Sequence, residues 1–372
     1  MFCLERRISR ELFWSGFGFQ VWCQLLTHIS RAWDASLLIV DEPEIYLHPD
    51  IQRQLLGILR EIGPDILLAT HSTEIMSEAD PSEIILIDKS RQSAERLRDV
   101  EDVQMALGKI GSIQNITLTR LARNRKVLFI EGSDDFVILR RFARQLGLTE
   151  LASGVDITAV ESEGFSSWDR VRSTGWYIEK ALGVKIRMGA VYDRDFHCSE
   201  EIDDVINRLE EHLAFAHVHA RKEIENYLLV PSVLERAVLA VAEDRRRRGS
   251  EVPKIENVAD ILAKLTEPIR SVVQGQYIAR RTEYLRSTGL DAATVTSTTL
   301  DWFDKKWRNL ESRMEIVPGK QVLALFRQYI QEKYSLSLTD YRIISSFSAN
   351  EIPADLSQLL RELEDYRKSA AA

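Results

Sequence analysis

Asp41 and Glu42 close the apolar run Leu37-Leu-Ile-Val40 and are followed by Pro43. An apolar run that ends in acids reads as a buried strand carrying carboxylates to its C-terminal edge. In a phosphate-binding α/β domain that edge faces the nucleotide. Asp41 is then placed to hold Mg²⁺ through water, and Glu42 to polarise an attacking water. A second run, Ile66 to Ala69, ends in Thr70-His71-Ser72. At a neighbouring strand end, His71 would sit beside Glu42, within reach of a γ-phosphate. Ser15-Gly16-Phe-Gly18-Phe-Gln20 precedes a helix-like run from Val21 to Ile29. Small residues before a helix start leave N–H groups for an anion. No Gly-x-x-x-x-Gly-Lys-Ser/Thr phosphate loop occurs in these residues. ATP binding is therefore expected only with a further segment or partner that carries one.

A second set of acids follows downstream. Lys126-Val-Leu-Phe-Ile130 reads as a short strand ending in Glu131-Gly132, with Asp135 one turn into a helix patterned by Phe136, Leu139, Phe142 and Leu146. Gly132 is expected to let the backbone turn sharply. Met188-Gly-Ala-Val-Tyr192 leads to Asp193-Arg-Asp195. Alternation along an extended segment puts Asp193 and Asp195 on one side. Facing Glu131 from the next strand, they form a hard oxygen cage suited to Mg²⁺ or Mn²⁺. Between them, Ile157 to Val160 is a candidate strand leading to Glu163-Gly164 and a helix from about Ser166.

The first set, in the order Ser-Gly…Gln, Asp-Glu-Pro-Glu-x-x-Leu-His-Pro, Thr-His-Ser, resembles the ABC-type ATPase heads of the OLD-like family over roughly Leu12 to Asp88. The resemblance implies a signature motif at Ser15 to Gln20, in which Gly16, Gly18 and Gln20 take part, though without the usual doubled glycine. It implies a Walker B pair at Asp41-Glu42, a D-loop from Ile45 to His48, and a switch histidine at His71. The second set resembles the Toprim domain, shared by primases, topoisomerases and OLD-family nucleases, over about Arg125 to Val230. There Glu131 matches the family's acid, Asp193 and Asp195 its Asp-x-Asp, Asp135 the later metal-binding acid of the OLD branch, and Gly164 its glycine turn. Arg221-Lys222-Glu223-Ile-Glu225-Asn-Tyr-Leu228 resembles the phrase that ends Toprim in OLD-like proteins. The resemblance implies a metal ligand at Glu225, with Glu223 the alternative, and a phosphate-contacting base at Lys222.

Other polar residues carry weaker readings. Arg194 either neutralises its acidic neighbours or contacts a phosphate. His197 reads as a solvated loop residue, and Asp134 and Asp204 as helix-start acids. His212, His217 and His219 lack the paired spacing or cysteine of a zinc site. The run Arg245 to Arg248 is a solvated loop or a DNA-backbone contact. The stretch Trp302-Phe-Asp-Lys-Lys-Trp307-Arg308 reads as a packed amphipathic helix rather than a base-stacking platform.

The expected fold class is α/β, a partial ABC-type ATPase lobe with a Toprim parallel-sheet domain and a helical C-terminal region. The 372 residues divide into residues 1–90 for the ATPase lobe, 91–124 for a charged helical connector, 125–230 for Toprim and 231–372 for the helices. Three scattered cysteines, Cys3, Cys23 and Cys198, fit free thiols in a reducing cytoplasm. No apolar run approaches membrane-spanning length, and Glu5 and Glu11 break up the N-terminal basic stretch, so neither a membrane span nor a secretion signal is expected. A net charge of −8 argues against non-specific coating of DNA. Metal-dependent cleavage of DNA or RNA is the expected activity, by a homodimer or higher oligomer, with phage defence implied by the family alone. The alternative is an accessory chain that regulates a Walker-A-bearing partner without catalysis of its own. Strand passing would need a nucleophilic tyrosine in a separate domain, and none is evident.

Overall fold

In the computed structural model, residues 2–5, 8–11, 13, 15–32, 35–62, 64–76, 78–79, 83–88, 93–96, 125–154, 156–162, 185–247, 249, 251–286 and 290–369 are described. They fall into two compact units, Met1–Asn115 and Ile116–Ala372.

The first unit opens with the antiparallel pair β1 (Phe2–Glu5) and β2 (Ile8–Glu11). Helix α1 (Phe17–Arg31) follows, longer at both ends than the apolar run alone predicts. Then come β3 (Leu37–Asp41), α2 (Pro49–Glu61), β4 (Asp65–Ala69), the single turn α3 (Thr73–Met76), and the antiparallel pair β5 (Ile85–Asp88) and β6 (Ser93–Arg96). Strands β3 and β4 pair in parallel, with Asp41 opposite Ala69, so both acidic and histidine-bearing loops leave from the same edge. His48 caps α2 by accepting from the Asp50 N–H at 3.4 Å, and Pro49 takes the first helical position, where its missing N–H costs nothing. The Leu-His-Pro phrase is thus a helix start. Ile29, Leu55, Leu59 and Ile75 form the core of this unit. The expected helical connector begins instead as a strand, β6, because its residues 93–96 extend the edge of β5. The rest of it, 97–124, lies outside the described residues.

The second unit is built on a four-stranded parallel sheet in the order β10-β9-β7-β8. Its elements are β7 (Lys126–Ile130), α4 (Ser133–Gln145), α5 (Thr149–Ser153), β8 (Thr158–Glu161), β9 (Arg187–Tyr192), α6 (Ser199–Glu210) and β10 (Phe215–Val218). Central β7 is buried along its whole length, the mark of a strand covered on both faces. Gly164 and the expected helix from Ser166 lie outside the described residues. A 3₁₀ turn (Ile224–Tyr227) leads into helices α7 (Pro231–Arg247), α8 (Val258–Thr266), α9 (Arg270–Leu285), α10 (Ala292–Arg308), α11 (Leu310–Ile316), α12 (Gly319–Tyr334), α13 (Asp340–Ser345) and α14 (Ala354–Lys368).

The sheet and these helices share one hydrophobic core, which runs from Leu128 and Val191 to Leu234, Phe326 and Leu363. The chain's end closes back on the sheet: the Tyr366 hydroxyl meets the Val127 and Arg187 carbonyls, each at 2.8 Å. Of the four-arginine run, the three described residues are not loop, and Arg248 lies outside the described residues. Arg245 to Arg247 form the last turn of α7, where cations complement the helix dipole, and Arg247 pairs with Glu243 at 2.7 Å. Asp204 sits in the middle of α6 rather than at its start, bonded by the Tyr284 hydroxyl. No helix among the described residues is long and apolar enough to cross a membrane.

Candidate functional sites

In the first unit, Glu42 N–H bonds to the Ala69 carbonyl at 2.9 Å, the last rung between the two strands. Glu42 then takes a left-handed backbone, φ 42°, which swings its carboxylate past the strand end. Its Oε1 lies 3.3 Å from His71 Nε2, both side chains open to solvent. Asp41 is exposed one residue earlier. Sequence reading missed the organiser of this loop pair, Glu44. Its Oε1 accepts from the Thr70 hydroxyl and the His71 N–H, both at 2.7 Å, so the last acid of Asp-Glu-Pro-Glu holds the histidine loop in place. Gly18 has an equally local reason. A Cβ there would come within 2.5 Å of the Tyr46 carbonyl oxygen, so only glycine lets α1 approach the Glu44–His48 loop. Phe17 and Tyr46 meet edge to face at 4.7 Å beside it. Gly16 is the N-cap of α1 and offers no side chain to its first turn, and the Gln20 amide ties back to the Ser15 carbonyl at 2.8 Å.

In the second unit, six carboxylates and one lysine gather where β7 and β9 end. Gly132 is extended (φ −124°) and caps α4, its N–H donated to Asp135 Oδ2 at 2.9 Å. The chain turns there without the left-handed freedom of glycine, which corrects the expected reason for that residue. The segment after β9 is not extended either. Asp195 adopts φ 49° and its N–H bonds to the Lys222 carbonyl at 2.8 Å. Both acids nevertheless reach the same place. Asp193 Oδ1 accepts from the Ile224 N–H at 2.9 Å, and Asp195 Oδ1 lies 3.3 Å from Lys222 Nζ. Lys222 is almost fully buried and also pairs with Glu223 Oε1, while Glu223 Oε2 accepts from the Lys320 N–H at 2.8 Å.

The following phrase is anchored by its uncharged residues. Asn226, with no exposure, donates to the Met314 and Val317 carbonyls at 2.6 and 2.9 Å and accepts from Glu223 N–H at 2.8 Å. The Tyr227 hydroxyl donates to Asp355 at 2.6 Å. A Cβ on Gly319 would press within 2.6 Å of Asn226. In Glu-x-Glu-Asn-Tyr the amide and the phenol hold the turn that positions the two glutamates.

The electrostatics record how close the acids stand. Burial first, then Asp195 and Asp135, raise Glu131 to about 7. Burial, then the field of Asp135, Glu131, Glu225 and Glu223, raises Asp193 furthest, to about 10. Asp135 rises to about 6 and Glu225 to about 7, burial being the main cause for each. Burial pulls the Lys222 ammonium down, but Glu223 and Asp195 outweigh it and hold it above its ordinary range. Glu131 Oε1 is buried with no hydrogen-bond partner among the described residues. Crowded, desolvated carboxylates with an orphaned oxygen are a donor set that a hard divalent cation would satisfy. As they stand, no three His, Cys, Asp or Glu side chains among the described residues converge closely enough to hold an ion; the acids face one space without yet sharing a focus.

One histidine reads otherwise than expected. His197 is largely buried, 3.1 Å from Arg280 and 3.8 Å from Glu201, not solvated. His219 is fully enclosed against Tyr227, and burial holds it neutral.

A strand pair bearing an acid and a histidine at one edge, and a parallel sheet crowned by carboxylates around a buried lysine, define an α/β chain with an ATPase-like unit and a second acidic site. Comparison with known proteins agrees with the first of these: residues 5–77 match the family described as AAA domain, putative AbiEii toxin, Type IV TA system. The chain is also similar to the Old nuclease of Escherichia phage P2, 29% identical over 171 residues, which is 43% of this chain and 28% of that protein. The chain thus matches under a third of that relative's length.

Proposed function

We propose that this chain is a metal-dependent nucleic-acid endonuclease of OLD-like type, its Toprim site in the second unit coupled to an incomplete ABC-type ATPase in the first. The observation that carries the reading is the set Glu131, Asp135, Asp193, Asp195 and Glu225 around Lys222 at one edge of a parallel sheet. The similarity to a nuclease supports it. Glu131, Asp135, Asp193, Asp195 and Glu225 would hold Mg²⁺ or Mn²⁺. Bound there, such ions supply an activated water and stabilise the leaving oxygen.

The chain's own residues do the rest. Lys222, kept protonated by Glu223 and Asp195, is a fixed positive charge for a scissile phosphate. Asn226 and Ile224 N–H hold the Glu223–Glu225 turn and Asp193 in place. Nicking of supercoiled plasmid by the full chain in Mg²⁺ or Mn²⁺ tests the reading: wild type nicks and Asp193→Asn does not.

A second reading has its own observation. On one face of β3 and β4, Leu37, Ile39 and Leu67 are more than half exposed. A further lobe carrying a phosphate loop would cover that face and complete the ATP site of Ser15, Gly16, Gly18, Gln20, Asp41, Glu42 and His71. In this reading the chain serves a Walker-A-bearing partner, and catalysis at the carboxylates is not required. Pull-down of such a partner together with absence of nicking would favour it. A role in phage defence extends the family likeness and is tested by plating phage on cells with and without the chain.

A further inference from the structure

Beside the carboxylates lies a cavity of about 170 Å³ that no part of the proposed reaction uses. Its walls include Arg194 and Phe196 from the loop after β9, Tyr277 and Arg281 from α9, and Trp302 from α10. Three aromatic rings form a continuous chain. Phe196 meets Tyr277 edge to face at 5.0 Å, and Tyr277 meets Trp302 at 5.1 Å. Trp302 keeps 37% of its surface exposed, whereas Trp307, one turn and a half along the same helix, is buried and stacked on Phe303. The helix thus packs through Trp307 and presents Trp302 to the cavity.

The cavity joins the acidic site through one ring. Phe196 follows Asp195 directly, and Lys222 Nζ lies 4.4 Å from the centre of its ring and 3.3 Å from Asp195 Oδ1. Arg194 is committed to the loop itself, its guanidinium donating to the Ala220 and His197 carbonyls and to the Ser199 hydroxyl. Arg281 is different. It touches Glu200 at 3.1 Å, but its buried Nε has no hydrogen-bond partner among the described residues. A buried N–H without an acceptor is costly to leave unmade.

We infer that this cavity receives one unpaired nucleobase of the nucleic-acid strand, next to the phosphate held at Lys222. The inference rests on the nuclease reading and names what that site would grip. The volume falls below the roughly 300 Å³ at which pockets for whole small molecules begin, so it fits a ring system rather than a free cofactor. Aromatic walls stack on any base, and the Arg281 guanidinium that lines the cavity adds a cationic face beside them. A duplex keeps its bases stacked and cannot fill the cavity without extruding one. The preferred substrate is therefore single-stranded, or a duplex opened near the cut.

The test uses the full chain with Ca²⁺ in place of Mg²⁺ and fluorescence anisotropy of labelled single-stranded DNA and RNA oligonucleotides. Stacking energies of about 1–3 kcal/mol per base correspond to about 5- to 150-fold in affinity. Trp302→Ala is expected to weaken binding at least fivefold and Trp302→Phe to restore most of it, with the Arg281→Ala loss in the same direction. An abasic oligonucleotide of equal length should bind wild type as weakly as it binds Trp302→Ala. Equal affinity of wild type and Trp302→Ala for the normal strand, or an equal loss by Trp302→Ala on the abasic strand, overturns the base pocket. So does absence of binding by wild type. Plasmid nicking reads the underlying function separately. Nicking with Trp302-independent binding removes the pocket alone, and Trp302-dependent binding without nicking removes the nuclease and leaves the pocket.

Discussion

Glu131 shows how one side chain links stability to chemistry. Its carboxyl is desolvated and crowded by Asp195 and Asp135, which raises it to about 7. An acid raised in this way holds its proton longer in the folded chain than in the unfolded one, where glutamate ionises near about 4.3. The folded state is therefore favoured at low pH, and that advantage is lost as pH rises from about 4.3 to about 7. Glu131→Gln removes the charge and keeps the shape. In EDTA its melting temperature should match or trail wild type at pH 4 and exceed it at pH 7.5, by about 2–4 °C per kcal/mol of relieved repulsion. A gap that narrows with rising pH would contradict the crowding. Divalent cations should stabilise wild type at pH 7.5 and do little for the variant, which calorimetry can read.

Asn226 makes the complementary case. It has no charge and no part in the chemistry, yet Asn226→Ala would strand the Met314 and Val317 carbonyls and the Glu223 N–H. Leaving buried groups unpaired costs about 1–3 kcal/mol each at most, so a loss of about 3 kcal/mol in urea unfolding is expected. The acids could be picked out in the sequence because Glu-Gly and Asp-x-Asp both close apolar runs and stand in a familiar order; either one alone reads as an ordinary solvated strand end. The sequence hid the job of Asn226, since an amide's partners lie in α11 and the loop that follows it, far along the chain.

Among the elements, α1 and the loop after β3 depend on a backbone contact. Gly18→Ala sets a Cβ 2.5 Å from the Tyr46 carbonyl, and backbone cannot rotate away as a side chain can. The helix must shift, and hydrogen exchange in α1 and residues 42–48 should quicken while α7 to α14 are unchanged. Uniform exchange rates in Gly18→Ala would place the contact elsewhere. Strand positions were legible at this scale. The runs Leu37 to Val40 and Ile66 to Ala69 appear as β3 and β4 within one residue, because apolar runs bounded by polar pairs leave few other options. The segment at 93–96 was not legible as strand, since its charged composition carries no alternation and only pairing with β5 fixes it. The same limit applied to Trp302 and Trp307. Their spacing announced a helix, but which ring would pack and which would stay open depended on α9 lying across them.

For the whole molecule, the division of labour follows from what each unit contains. The first unit has an acid, a glutamate and a histidine at a strand edge, but these residues hold no glycine-rich cradle or lysine for the β- and γ-phosphates. Purified alone, the chain should release no phosphate from ATP above the background of Glu42→Gln. Release that depends on Glu42 would show that another group supplies the cradle. The second unit holds its carboxylates and its supporting helices in one core, so the proposed cleavage should proceed at a basal rate without nucleotide, and any coupling to the first unit should act on top of that rate.

Nicking of supercoiled plasmid, followed on agarose with Mn²⁺ and no ATP, measures it directly. Wild type should convert the plasmid to open circles, and Asp193→Asn, a variant that should fold as well as wild type or better, should lose at least a hundredfold of that rate. Equal nicking by both, or none by wild type across Mg²⁺ and Mn²⁺, would contradict the nuclease reading.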